Sequence, residues 1–298
     1  MRFRHNQIRY GVLVQPSVHD TPRWWLWPTI LSIDAPVVVV LWQRVIARSA
    51  AADAGPAEMF VLGCSVWLAY SADRWIEGWR LPPESIQTHR HHFHQRWRWP
   101  IAAVWAVMFA LDFAIAVRGL PSLEFRAGAL ILVPVSAYLL SHQLMHRNSR
   151  WRAPKEVCVA VLLGGGAALF AASRPGADLA GMAVPMALFV LLCFSNCALI
   201  SVWEDEVDRS HGQTSLVLQF GSAARFSRAL PWVLSALSAG AWLFAGPGAA
   251  PAAACATVSA VLLGAVDLAE GRIGRIPARV LADVALMTPF ATLFAGGR

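Results

Sequence analysis

Long apolar blocks, separated by short polar segments, dominate the chain. Most blocks approach the ~20 residues that a helix needs to cross ~30 Å of hydrocarbon. Lipid cannot satisfy open backbone groups, so blocks of this length are expected to be helical. The pattern predicts about nine membrane-spanning helices, at residues 27–47, 58–79, 99–118, 126–146, 156–174, 180–203, 229–245, 250–269 and 276–295.

The composition supports an all-α integral membrane protein. The 298 residues are 57% hydrophobic and 14% charged, whereas soluble domains carry roughly 25% charged residues. The blocks leave no room for a separate soluble domain. We therefore expect one membrane-embedded domain over residues 1–298, with residues 1–26 forming a polar, basic N-terminal arm.

The net charge of +7 comes almost entirely from arginines that flank the apolar blocks. They gather in alternate connections, together with the only lysine, Lys155, and the intervening connections have no basic residue at their middles. By the positive-inside rule, this pattern places the N-terminal arm in the cytoplasm. It is interpreted as a topology signal in a bacterial inner membrane, with no nucleic-acid partner.

Two acidic clusters end the second and sixth predicted spans. Asp73 and Glu77 lie four residues apart in the first, and Glu204 and Asp208 in the second, beside Asp205. This spacing puts each pair of carboxylates on one helix face, where they repel unless a cation neutralises them. Mg²⁺ binds carboxylates together with substrate phosphate oxygens. The alternative is that these are helix-end charges that reach into the interface.

Polar and basic residues follow each acidic cluster. Thr88, Arg90 and Arg96 come after the first, and Thr214 comes after the second. Arginines can bind phosphate oxygens through two parallel hydrogen bonds, and hydroxyl groups add further donors. The residues therefore indicate a diphosphate held between a metal and arginines, an arrangement that stabilises a leaving diphosphate.

At this point the sequence resembles the UbiA-type intramembrane prenyltransferase superfamily. The stretch from Glu204 through Asp208 to Thr214 is similar to the family's second aspartate-rich motif, and the stretch from Asp73 through Glu77 to Arg90 is similar to the first. The family's first motif usually opens with Asn, whereas Ala69 and Tyr70 stand there in this chain.

The resemblance implies a helical bundle around a central cavity and a Mg²⁺-dependent reaction in the membrane. An isoprenyl diphosphate would ionise, and a lipophilic acceptor, expected to be aromatic, would capture the allylic cation. The implied site residues are the carboxylates Asp73, Glu77, Glu204, Asp205 and Asp208 as metal ligands, and Arg74, Thr88, Arg90, Arg96 and Thr214 at the diphosphate. Some relatives cyclise the prenyl chain itself, so a terpene cyclase is the first alternative.

Two other classes of protein remain open at this stage. Histidines at positions 89, 91, 92, 94, 142 and 146 resemble the histidine boxes of membrane di-iron oxidases and desaturases, since imidazole suits iron. A transporter could use Asp34, Asp112 and Asp283, which lie inside apolar blocks. Neither alternative accounts for two acidic clusters with the same spacing at one membrane face.

Overall fold

The computed structural model describes residues 21–80, 86, 88–142, 154–210 and 214–295, and every regular element in these ranges is helical. The α-helices are α1 Trp27–Ile30, α2 Asp34–Ser49, α3 Pro56–Arg80, α4 His89–Arg96, α5 Arg98–Gly119, α6 Ser122–Leu140, α7 Lys155–Ala172, α8 Leu179–Trp203, α9 Asp205–Ser210, α10 Leu216–Gln219, α11 Ala223–Phe244, α12 Ala250–Ile273, α13 Arg275–Ala285 and α14 Thr292–Ala295. Two 3₁₀ helices cover Trp24–Leu26 and Thr288–Ala291.

The second to eighth predicted spans each coincide with one continuous helix, although residues 143–146 of the fourth lie outside the described residues. Within the described ranges, five helices are long and apolar enough to cross a membrane, namely α5, α6, α7, α8 and α12. The count rises to six if the bent segment Trp24–Ser49 is one span. The all-helical membrane fold is therefore confirmed, and the count of nine spans stays a prediction.

The first predicted span, 27–47, is not one straight helix. It bends by 74° between Trp24–Ile30 and α2, and Ser32 at the bend has a φ of 60°. Pro36 explains the break, because proline has no N–H for a bond to the carbonyl four residues earlier and its ring clashes with that carbonyl. Carbonyls at the break accept hydrogen bonds from α3: Trp67 Nε1 donates to Leu31 O at 2.9 Å, and Arg74 donates to Thr29 O.

The last predicted span, 276–295, is divided as well. Helix α13 ends at Ala285, and the 3₁₀ helix Thr288–Ala291 and α14 follow. Pro289 cannot donate to the carbonyl of Ala285, so an α-helix cannot run through this position undisturbed. The short α13 packs against α2, α8 and α12.

The core lies where α2, α7, α8 and α12 meet. Trp42 stacks on Phe189 with 4.9 Å between ring centroids, and its Nε1 donates to Leu286 O at 2.9 Å. Gly264 lets α11 and α12 approach closely, because a Cβ there would lie 2.6 Å from the Trp232 ring. Helices α5 and α6, by contrast, expose large apolar side chains along most of their length, as lipid-facing helices do.

Candidate active site

A cavity of about 220 Å³ lies among α2, α3, α7, α8 and α13. Many charged side chains line it, and apolar residues such as Val38, Val159, Leu163, Ile200 and Leu286 contribute to its walls. The helical bundle therefore encloses a cavity with both charged and apolar lining, and the resemblance to the UbiA-type superfamily implied a central cavity.

The first acidic motif lines the cavity from α3. Asp73 and Glu77 both contribute to the lining. Glu77 Oε2 lies 2.7 Å from Nε2 of the buried His91, and His91 Nδ1 lies 2.7 Å from the Thr88 hydroxyl. One tautomer satisfies both contacts, because an Nε2–H can donate to the carboxylate while Nδ1 accepts from the hydroxyl. Helix α4 thus holds Glu77 in place through His91.

The second acidic motif reaches the same cavity from the end of α8. Glu204 Oε2 accepts hydrogen bonds from Arg90, at 3.2 Å, and from Arg279. Burial would raise the pKa of Glu204, but the positive charges of Arg279 and Arg90 outweigh it and lower that pKa below its usual range. Lys155 Nζ donates to both carboxylate oxygens of Asp208, at 3.2 Å each. Both carboxylates are therefore paired with cations from other helices.

Five basic side chains line the cavity, namely Arg74, Arg80, Arg90, Lys155 and Arg279. Arg279 Nε is buried and has no hydrogen-bond partner among the described residues. A buried guanidinium N–H group without a partner favours a ligand with oxygen acceptors, because the ligand's oxygens can satisfy it. Oxygens of a diphosphate fit this environment.

The structure does not bring every predicted residue to the cavity. Thr214 lines it, whereas Thr88 contacts His91 instead. Arg96 is exposed at the end of α4. Asp205 lies outside the lining and faces Arg209 at 3.8 Å on the same helix. The predicted roles of Arg96 at the diphosphate and Asp205 at the metal are therefore not supported by the geometry.

The four remaining carboxylates suit a hard divalent cation by their chemistry. Oxygen ligands from one or two carboxylates, completed by substrate phosphates, are what Mg²⁺ requires. In the part of the chain that the structure describes, no three acidic, histidine or cysteine side chains converge on one point. A Mg²⁺ ion at Asp73, Glu77, Glu204 and Asp208 would therefore need substrate oxygens to complete its ligands.

The histidines that suggested an iron site make other contacts. His91 bonds Glu77 and Thr88, His94 Nδ1 donates to Arg90 O at 2.9 Å, and His142 lies against the Tyr138 ring. His146 is outside the described residues. His91 and His94 thus position neighbouring groups.

Several residues of the site were missed in the sequence. Lys155 was assigned only to topology, and Arg279 and Tyr138 were given no role, although all three line the cavity. Arg279 and Asp283 have the same four-residue spacing as the acidic motifs. This spacing could have identified a third helix with a charged face toward the cavity. Asp34 and Asp283, noted as intramembrane carboxylates, also line the cavity.

Comparison with known proteins supports the fold alone. No protein-family model and no curated protein sequence matches the chain. Among solved structures, the apo structure of a UbiA homolog from Aeropyrum pernix K1 is similar, with a TM-score of 0.56 and 18% sequence identity. The match covers 88% of this chain and 98% of that one. The chain therefore has the fold of a UbiA homolog, as its two acidic motifs predicted.

Proposed function

We propose that this protein is a Mg²⁺-dependent intramembrane prenyltransferase that ionises an isoprenyl diphosphate and transfers the prenyl group to a lipophilic acceptor. One observation carries the proposal: Asp73 and Glu77 of α3, and Glu204 and Asp208 at the α8–α9 junction, line one cavity together with five basic side chains and apolar walls. A diphosphate needs the charged end, and an isoprenyl chain needs the apolar walls.

The charged side chains would act on the leaving diphosphate. Arg90 and Arg279, which neutralise Glu204 in the structure, would turn to phosphate oxygens as Glu204 takes up another counter-ion. Lys155, which neutralises Asp208, would do the same on the α7 side. Bound Mg²⁺ would supply positive charge to the departing oxygens.

The reaction proposed is heterolysis of the bond between the allylic carbon and oxygen. The electron pair leaves with the diphosphate, and the allylic cation is attacked by the π electrons of the acceptor, which then loses a proton. Tyr70 and Tyr138 line the cavity, and aromatic faces stabilise carbocations through cation–π attraction. Walls that exclude water protect the cation from hydrolysis.

The charged end of the cavity is proposed to face the cytoplasm. The support is the distribution of arginine along the sequence, which follows the positive-inside rule. Isoprenyl diphosphates carry several negative charges, so they would enter at an aqueous face. A cysteine-labelling test of the α5–α6 connection and of residue 206 in a native bacterial inner membrane would check this orientation.

The function is tested by pyrophosphate release from isoprenyl diphosphates of several lengths, using detergent-purified protein with Mg²⁺ or with EDTA. Glu204→Gln, which removes a cavity carboxylate, should lower release by about 100-fold. Glu206→Gln is the matched control, because Glu206 is exposed and pairs with Arg275 outside the cavity lining.

Release that requires an acceptor and gives a prenylated product supports transfer. Release without an acceptor, with a cyclic hydrocarbon or terpene alcohol as product, assigns cyclisation instead. Absence of release with every diphosphate, or equal activity of the two glutamate variants, contradicts the proposal.

A further inference from the structure

The first turn of α7 contacts the chain at two points, at the end of the second acidic motif and shortly after it. Lys155 Nζ pairs with Asp208 on α9. The next residue, Glu156, accepts a hydrogen bond at Oε1 from the backbone N–H of Leu216, at 3.0 Å. These contacts join α7 to positions 53 and 60 residues further along the chain. Lys155 has a place in the proposed reaction, whereas Glu156 has none.

Glu156 is almost entirely buried although it carries a carboxyl group. It is 2% exposed and lines the cavity. Its second oxygen, Oε2, is buried with no hydrogen-bond partner among the described residues. A buried polar atom without a partner is destabilising, so packing alone favours an apolar residue at this position. The bond from Leu216 to Oε1 is the contribution that an apolar side chain cannot make.

The hydrogen bond from Leu216 fixes the start of a short helix. Leu216 is the first residue of α10, and the side chain of Ser215, the residue before it, makes no capping bond. The first N–H groups of a helix have no partner within that helix, and Glu156 supplies one from α7. The Leu216 side chain is itself buried in a small cluster with residues of α8 and α11. Both contacts hold the chain just after Thr214, which lines the cavity.

We propose that Glu156 is a positioning residue that sets the affinity for the diphosphate, by holding Thr214 at the cavity through the backbone of Leu216. This inference rests on the proposed function, because the diphosphate is its ligand. Glu156 acts as a hydrogen-bond acceptor and not through its charge, since a further negative charge beside a diphosphate opposes binding. Thr214 donates its hydroxyl to a phosphate oxygen from a fixed backbone, so less conformational freedom is lost on binding.

Two variants of Glu156 separate the hydrogen bond from the charge. Glu156→Gln keeps an acceptor oxygen and removes the charge, so the KM for the isoprenyl diphosphate should stay within about twofold. Glu156→Leu removes both, and KM should rise about tenfold while kcat changes by less than about twofold. Steady-state pyrophosphate release measures both constants. Asp112→Leu is the matched control and should keep the wild-type KM, because Asp112 is a buried carboxylate that accepts from Ser65 outside the cavity lining.

The same hydrogen bond can be removed from its donor side. Proline has no N–H and is favoured at the first position of a helix. The extended conformation of Ser215, with a φ of −133° and a ψ of 165°, suits a following proline. Leu216→Pro should therefore raise KM about tenfold as well, which keeps the test intact if Glu156→Leu does not fold. In a Thr214→Val background, Glu156→Leu should add less than about twofold, because its effect passes through Thr214.

Unchanged KM in Glu156→Leu or in Leu216→Pro, a rise of about tenfold in Glu156→Gln, or additive effects of Glu156→Leu and Thr214→Val would overturn the inference. Failure of the proposed function is distinguishable, because the wild type would then release no pyrophosphate. Calorimetric titration with inorganic pyrophosphate and Mg²⁺ does not depend on catalysis. The wild type and Glu156→Gln should bind pyrophosphate about tenfold more tightly than Glu156→Leu; equal affinities, or no binding by the wild type, would contradict the positioning role.

Discussion

Two buried ionic clusters in this protein contain the same types of side chain but have different roles. In the cavity, Glu204 stands between Arg90 and Arg279. At the opposite ends of the helices, Arg174 stands between Glu58 and Glu124. All three carboxylates are largely shielded from solvent, with side-chain exposures of 15%, 8% and 3%. The clusters differ in what surrounds them.

The Arg174 cluster joins the start of α3, the start of α6 and the segment after α7. It has no part in the cavity lining, so its role is to hold helix ends together. The Glu204 cluster borders open volume, and its guanidinium groups have room to reach another anion. Burial of an ion pair is therefore no guide to function by itself; an adjacent cavity decides whether the pair can exchange partners.

Arg279→Met should give the largest effect, because it removes a cavity cation that would bind the diphosphate. We expect kcat/KM for the isoprenyl diphosphate to fall by at least about 100-fold, while folding is retained since Arg90 still neutralises Glu204. Steady-state pyrophosphate release measures the change. Arg275→Met, at an exposed pair with Glu206 on the same helix, should keep full activity; equal losses in both variants would count against the site.

Arg174→Met should act on stability instead of activity. Removing one partner of a buried ion pair leaves uncompensated charge and costs about 3 kcal/mol of unfolding free energy. Unfolding in mixed detergent micelles measures it, and activity per folded molecule should be unchanged. Arg48→Met is the control, because the Arg48–Asp53 pair is exposed at 3.7 Å and should contribute under about 1 kcal/mol. Loss of activity in folded Arg174→Met protein would remove the distinction between the clusters.

Acidification should destabilise the cavity end through His94. Burial lowers the pKa of this histidine from 6.5 to about 4. A histidine whose pKa is lower in the folded state stabilises the fold fully when the pH is above its unfolded-state pKa. This stabilisation is lost as the pH falls toward its folded-state pKa. Between pH 7 and pH 5 the loss should be about 2 kcal/mol. His94→Asn should flatten this slope in detergent unfolding experiments; an unchanged slope would show that other groups cause it.

Thr88→Val should have the smallest effect. The Thr88 hydroxyl bonds His91, which in turn contacts Glu77, so its loss should cost about 1 kcal/mol of stability. The KM for the isoprenyl diphosphate should change little, and Thr88→Ser should behave as the wild type. A tenfold or larger rise in KM for the valine variant alone would restore the direct diphosphate contact that the sequence predicted.

Local patterns in the sequence determined the helices and the chemical character of the site. The length of the apolar blocks is enough to predict helices in lipid, where backbone N–H and C=O groups must hydrogen-bond with one another. The four-residue spacing puts Asp73 beside Glu77 on one face of α3. The same prediction is wrong for Glu204 and Asp208, because α8 ends at Trp203 and Asp208 belongs to α9. Both features depend on neighbours within a few turns, so they can be read without coordinates.

Only the tertiary structure decided which groups meet. Lys155 pairs with Asp208 across 53 positions, and Arg279 with Glu204 across 75, distances along the chain that no local pattern encodes. The bend before α2 and the short α13 bring Asp34 and Asp283 together in one cavity. Asp205, by contrast, belongs to the acidic motif but is turned away from the cavity. Long-range helix packing fixes these pairings, because the burial of a charged group and its choice of partner depend on which helices pack together. The sequence of a single helix does not specify them.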